Sequence, residues 1–513
     1  MTFSGLLTST SSFFSWVTGI SSGSTYILTR WFFLRALGII YLIAFLSLWV
    51  QVKGLIGSNG ILPIQGLLDL IRQQLPGMER IRIFPTLFWI SASDAALHVV
   101  CGLGVLFSVL LILGIAPLPS LIVLWVLYLS LTVAGQDFLS FQWDILLLEV
   151  GFLAIFFAPL ALTGGLAHET MVSPLVLFLL WFLLFRLTFE SGVVKLNVGD
   201  PTWRNFTALD YHYWSQPLPT WTAWYLQQLP HWFHVLSMGF MYIAELAAPF
   251  LIFWGRTPRI VGCGLMVLLQ VLIGLTGNYN FFNLLTIALC LLLLDDAFLR
   301  SVLPVGFAAW LGGAAAVTVP IPTGWSVVAI FVAALVLLVG GKQLLETAFP
   351  WFPMPHMLDR LERALHPFRS VNPYGLFRVM TVKRPEIIVE GSDDGATWFP
   401  YEFKWKPGDL TVRPKFVEPH QPRLDWQMWF AALGRHDSEP WFQNFLVRLL
   451  QGSPDVLALI RKNPFLDHPP KFIRAVLYEY EFTDLTTKRR EGTWWRRRLR
   501  GLYSPVLSLS RES

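Results

Sequence analysis

Charge is scarce in this chain. Only 14% of its 513 residues are Asp, Glu, Lys or Arg, and 54% are hydrophobic, whereas a soluble domain carries about 25% charged residues; a wholly water-exposed globule is excluded. Cysteine is scarcer still. Cys101, Cys263 and Cys290 each stand alone in an apolar run with no CxxC or Cys/His spacing, which excludes a local disulfide framework or zinc knuckle and reads as three small buried hydrophobes. No charged side chain precedes Arg30, so the basic n-region of a cleaved signal peptide is missing. No nucleophile elbow, P-loop or dinucleotide fingerprint stands in a fitting context. The excess of 38 Lys and Arg over 33 Asp and Glu is largely local, because Lys488, Arg489, Arg490, Arg496, Arg497, Arg498 and Arg500 crowd together near the end. That cluster suits a membrane surface as well as any nucleic acid, and no recognition module for the latter accompanies it.

What the chain has in abundance is long apolar runs. Windows of about 20 residues, enough to cross a hydrocarbon core, lie near 31–50, 95–114, 117–134, 143–162 and 173–193. Five more follow near 233–254, 258–276, 281–299, 302–319 and 325–345. The runs are continuously apolar rather than alternating, which favours helices over a barrel. The expected fold is a polytopic α-helical membrane protein of about ten spans with a C-terminal mixed, strand-containing extramembrane domain. Residues 1–30 form an N-terminal segment, 31–348 the membrane domain, 349–370 a linker opened by Pro350, Pro353 and Pro355, and 371–513 the polar domain. Within that domain 386–390 and 397–406 read as two strands around the turn Ser392-Asp393-Asp394-Gly395, with Tyr401, Phe403 and Trp405 on one face and Glu402, Lys404 and Lys406 on the other. Helices near 425–433, 440–451 and 454–462 and a strand over 472–482 complete it. The positive-inside rule does not orient the chain: Arg30, Arg256, Arg259, Arg300 and Lys342 fall on one side, and Lys53, Arg72, Arg80, Arg82, Lys195 and Arg204 on the other.

Ionisable groups inside apolar spans cost about 3 kcal/mol or more each and normally face partners. Asp144, Glu149, Arg186, Glu190, Lys195 and Glu245 are such groups. Arg186 and Glu190 are four apart and can pair on one helical face, and Glu190 is also the nearby partner for Lys195. The first five are expected to converge on one polar cavity, whose role is either a structural clamp or a ligand site. The segment 197–232 is the longest polar interruption of the membrane half. Its Trp203, Asp210, Tyr211, His212 and Trp214 form either an interfacial aromatic belt or a recognition surface. Trp426 and Trp429, three apart, are further candidates for client contact, with core packing as the plain alternative. His231 and His234 share a helical face, but two imidazoles make no metal site, and neither a metal nor a cofactor is expected. Asn205 with Thr207 forms a glycosylation acceptor if this loop enters a secretory lumen.

Three stretches carry a resemblance: WDILLLEVGFL from Trp143, FRLTFESGVVKLNVGDPTWRNFTALDYHYWSQPLPT from Phe185 and PHQPRLDWQMWFAALG from Pro419. Together with GNYNFFNLLTIALCLLLLDD from Gly277 they resemble the lipase maturation factor family along nearly the whole chain. The resemblance implies a multi-pass endoplasmic-reticulum protein that assists folding and assembly of secreted lipases or related clients, with its C-terminal domain in the lumen. An even number of spans would then place both termini on that side. The chain ends without a retention signal and its polar segments lack cysteine, so the bacterial inner membrane stays open as a location. A shorter likeness, GVVKL at 192–196, is to vitamin K-dependent gamma-carboxylases, in which a lysine acts as base toward a reduced quinone. It implies an alternative, a quinone- or lipid-linked membrane enzyme with Lys195 as base, against a structural Lys195.

Overall fold

In a computed structural model of the chain, the described residues are 12–18, 24–162, 168–304, 306 and 317–509. The membrane half is built on helices α1 (Ile27–Trp49), α2 (Asp94–Leu113), α3 (Pro117–Ala134), α4 (Gln142–Phe157), α5 (Pro174–Asn197), α6 (His231–Tyr242), α7 (Arg256–Thr276), α8 (Phe282–Leu291) and α9 (Thr323–Ala348). Local chemistry sets their ends. Ser93 caps α2 by accepting from the Ala96 amide, and Gly114, at φ 77°, ends it in the left-handed region. Pro117 and Pro174 stand at the first turns of α3 and α5, where the missing N–H is harmless. Past Tyr242, α6 continues through a π turn, Ile243–Ala247, and a 3-10 turn, Ala248–Phe253.

Seven of these helices are long and apolar enough to cross a membrane, or eight if the bent pair Phe282–Leu291 and Asp296–Val302, which meet at 109°, is one span. The expectation of about ten spans is not confirmed. The 143–162 window yields only the 16-residue α4, and most of the 302–319 window lies outside the described residues.

Contacts at the helix ends show which way each helix runs. Thr29, near the start of α1, receives Asp296, whose carboxylate accepts its amide at 3.0 Å. Ser47, near the other end of α1, meets His420 of the C-terminal domain at 2.9 Å. The start of α1 thus lies at the end of the bundle opposite the C-terminal domain. Lys342 also changes sides. It lies near the domain-facing end of α9, held by Glu346, Asp359 and Glu362. At the far end a two-stranded parallel pair, β1 (His168–Thr170) with β2 (Val317–Val319), gives its Thr170 carbonyl to Arg30 at 2.6 Å.

After helix α10 (His356–Leu365) the C-terminal domain forms a four-stranded sheet in the order β4 (Phe399–Pro400), β3 (Arg384–Ser392), β7 (Phe472–Phe482), β8 (Trp495–Leu507). β3 and β7 pair antiparallel from Arg384↔Tyr480 to Ser392↔Phe472. A separate pair joins β5 (Glu402–Phe403) to β6 (Ile460–Lys462), and helices α11 (Arg423–Leu433) and α12 (Pro440–Leu450) pack alongside. The expected second strand of the hairpin is thus broken into β4 and β5, and the expected helix over 454–462 stops at Leu457 and gives way to β6. Lys406, placed on the exposed face, is buried against Glu386 at 2.9 Å. The basic cluster belongs to β8 and the short helix Leu485–Glu491 before it; in β8, Arg496 and Arg500 pair with Glu481 and Glu479 of β7. One apolar core runs from Phe33, Leu148 and Trp181 of the bundle into Trp426, Phe445 and Ile473 of the domain.

Candidate functional site

The costly charges do not share one cavity; they form three centres, each with its own partners. At the first, Asp144 in the opening turn of α4 accepts from both terminal nitrogens of Arg423 on α11, at 2.5 and 2.7 Å, and from the Tyr128 hydroxyl at 2.6 Å. Arg423 also donates to the Phe138 carbonyl at 3.0 Å. This bidentate pair ties the bundle to the domain.

The second centre is Arg186 of α5, fully buried between Glu149 at 3.0 Å and Glu190 at 3.4 Å. The pairing of Arg186 with Glu190 one turn on is as expected. What completes it is the start of the C-terminal domain: residues 370–375, just past the linker, thread into the bundle and bring backbone groups. The Asn372 amide and side chain donate to Glu149 at 2.8 and 3.0 Å, the Tyr374 hydroxyl does so at 2.8 Å, and the Tyr374 amide donates to Glu190 at 3.0 Å. Arg186 in turn donates to the Asn372 carbonyl at 2.5 Å and to Gln343 at 2.8 Å. Gly340 of α9 makes room, since a Cβ there would stand 2.7 Å from an Arg186 nitrogen.

The third centre corrects the partner of Lys195. Its ammonium binds both oxygens of Glu245, at 2.9 and 2.6 Å, and the Ser191 carbonyl at 3.0 Å. Glu190 is five positions away, roughly 140° around the helix, and faces Arg186 instead. Glu245 lies in the π turn, and Gly192 lets it approach: a Cβ at 192 would meet the Glu245 Cβ at 3.0 Å. Beside this pair lies a cavity of about 60 Å³ reached by Gln270, Asn283 and Thr286. The side-chain oxygens of Gln270 and Asn283 have no protein partner there.

Most aromatic candidates for client contact are internal. Trp203 donates to the Phe377 carbonyl, Trp214 to Asp210 and Trp429 to Ser215, at 3.0, 3.2 and 2.8 Å. All three are buried, as is Trp426. Asp210 gathers His231 at 2.9 Å and His234 at 2.7 Å, which engages both imidazoles with its carboxylate. Tyr211 packs near Trp214. Asn205 is exposed at the end of the short helix Pro201–Arg204.

Several of these residues nevertheless line one groove of about 490 Å³, where the domain meets the bundle. Its walls include Trp143, His212, Phe377, Trp426, Trp429 and Phe430. Phe430 and Leu433 stand at its rim, 40% and 45% exposed. The indole N–H groups of Trp143 and Trp426 have no hydrogen-bond partner. Burial, with the positive charge of Lys195 nearby, pushes His212 down to about 4, so the groove carries a neutral imidazole at neutral pH. Its wall was only partly legible: Phe430 lies beside Trp429 in the stretch from Pro419 that carries the resemblance, whereas Phe377 stands in a stretch that no pattern marks as a site.

An apolar bundle bonded along one end to a mixed α/β domain defines a multi-pass membrane protein with a docked, not tethered, extramembrane module. Residues 28–301 match the family described as the lipase maturation factor transmembrane domain, and 370–505 the lipase maturation factor C-terminal domain. The chain belongs to the lipase maturation factor family. Among its relatives, lipase maturation factor 2 of Gallus gallus is 37% identical over 94% of this chain and 81% of its own length. The human lipase maturation factor 2 is 36% identical, covering 94% and 83%. Lipase maturation factor 1 of Bos taurus is 35% identical, covering 94% and 90%. No solved structure matches. The alternative of a quinone- or lipid-linked enzyme receives no support from these matches.

Proposed function

We propose that this chain is a membrane-embedded maturation factor assisting the folding and assembly of secreted lipases, working in the endoplasmic reticulum membrane with its C-terminal domain in the lumen. The observation that carries this reading is a match to both family domains, joined here through the Asp144–Arg423 pair. The aromatic groove supplies a means. A half-folded client exposes apolar segments that aromatic walls can hold, and aromatic anchors supply much of the energy in such contacts. A client carbonyl in the groove would satisfy an indole N–H that is otherwise without a partner.

The test is complementation. The full chain is expressed with a secreted dimeric lipase in cells deprived of their own maturation factor, and secreted activity per unit of lipase antigen is measured. The reading expects restored specific activity. Unchanged specific activity at normal expression and membrane insertion would refute it.

A further inference from the structure

One exposed apolar stripe of the bundle ends beneath cations that no carboxylate claims. On α7, Leu268, Val271, Leu272 and Leu275 are 48%, 43%, 43% and 51% exposed; their spacing puts them on one helical face turned away from the bundle. At the end of that stripe the Thr222 hydroxyl donates to the Leu275 carbonyl, which seats the short helix Trp221–Gln227 over the last turn of α7. Trp221 packs against Phe416 at 5.8 Å, and the Arg413 guanidinium lies 5.7 Å from the Trp221 ring. Asn278, two residues past α7, clamps the same segment: its side chain donates to the Lys415 carbonyl at 2.8 Å and accepts the Val417 amide at 2.8 Å.

Behind Arg413 lies a second groove, of about 460 Å³, into which Lys404, Lys415, Arg461 and Arg497 also face. Arg461 has Glu402 at 3.8 Å. Among the described residues no carboxylate comes within ion-pair distance of Arg413, Lys415 or Arg497. Burial and the positive charge of Arg461 hold the Lys415 ammonium below its usual range, and an anion there would offset the charge of Arg461.

We propose that this corner binds an anionic phospholipid, with its acyl chains along the α7 stripe and its phosphate on Arg413 and Lys415. Trp221 and Phe416 sit where amphipathic and aromatic side chains mark the headgroup level. Guanidinium binds phosphate oxygens in a planar, two-bond geometry. A zwitterionic headgroup would bring its ammonium toward the same cations and gain less. The continuity of stripe and cations favours a lipid over a soluble anion.

Native mass spectrometry of the detergent-purified full chain, titrated with dioleoylphosphatidylglycerol and with dioleoylphosphatidylcholine, tests this. Each cation near an anionic surface is worth about fivefold in binding. Wild type should prefer phosphatidylglycerol, and Arg413→Gln with Lys415→Gln should lose about 25-fold for that lipid while phosphatidylcholine binding falls by clearly less. If the double variant does not fold, Arg413→Gln alone should lose about fivefold, since that exposed side chain can be removed without disturbing the core. Equal phosphatidylglycerol affinity in wild type and variant overturns the proposal. So does displacement of the bound lipid by excess inorganic phosphate, which would assign the groove to a free anion.

Discussion

Replacing Arg423 by alanine should release the C-terminal domain from the bundle. The substitution removes two bonds to Asp144, at 2.5 and 2.7 Å, and one to the Phe138 carbonyl at 3.0 Å. It leaves Asp144, fully buried, with only the Tyr128 hydroxyl. Breaking a buried pair from one side costs about 3–5 kcal/mol, chiefly through the charge left behind. That corresponds to a rise of two orders of magnitude or more in the opened population, which governs cleavage when opening and closing are fast. Limited proteolysis of the detergent-purified chain reads this, because a domain that swings away from the bundle pulls on residues 370–375, which bonds to Glu149 and Glu190 hold in place. Asp144→Leu combined with Arg423→Leu removes both charges and should be less damaging than Arg423→Ala, since replacing a buried pair by apolar groups is often neutral. Wild-type cleavage rates in Arg423→Ala, or a double variant worse than the single one, would refute the account of this contact.

Three further outcomes follow from the other centres. Lys195→Ala should destabilise by about 3–5 kcal/mol because Glu245 loses its partner, whereas Lys195→Arg, with the cavity of about 60 Å³ beside it, should keep both thermal stability and lipase maturation; a folded but inactive Lys195→Arg would contradict a structural role. Gly340→Ala should cost about 1–3 kcal/mol in thermal unfolding, because its Cβ would press on an Arg186 fixed by four partners. Burial raises the Glu418 carboxyl from an ordinary 4.5 to about 8. The folded chain therefore keeps a proton that the unfolded chain has lost, and stability should fall as pH rises from about 4.5 to about 8. Glu418→Gln should flatten that slope in denaturation followed against pH, and an unchanged slope would rule this group out.

The helical spans were legible because nothing else in the chain competes with runs so apolar. Asp144, Arg186 and Glu190 were legible as well, being too costly in lipid to stand alone. Beyond the Arg186–Glu190 pair itself, their partners were not. Arg423 lies 279 residues from Asp144, and the 370–375 segment satisfies Glu149 and Glu190 largely through backbone amides, which no side-chain pattern announces. Glu245 reaches Lys195 only through a π turn, a departure from the 3.6-residue period on which sequence reading relies. β8 was hidden for a different reason: its arginines carry little strand propensity, and it forms because Glu479 and Glu481 of β7 lie opposite them. The short passage α8 was read as a full span because its apolar run continues past the bend at Leu291.

The central claim is that the groove between bundle and domain holds the client. Phe430→Asp with Leu433→Asp places two carboxylates on its rim, where these side chains are 40% and 45% exposed. Co-purification of a tagged secreted lipase with the full chain, measured together with the specific activity of the secreted lipase, tests the claim most directly. The account predicts that the double variant inserts and folds like wild type yet loses both the client and its maturation. Client recovery and lipase activity equal to wild type would contradict it.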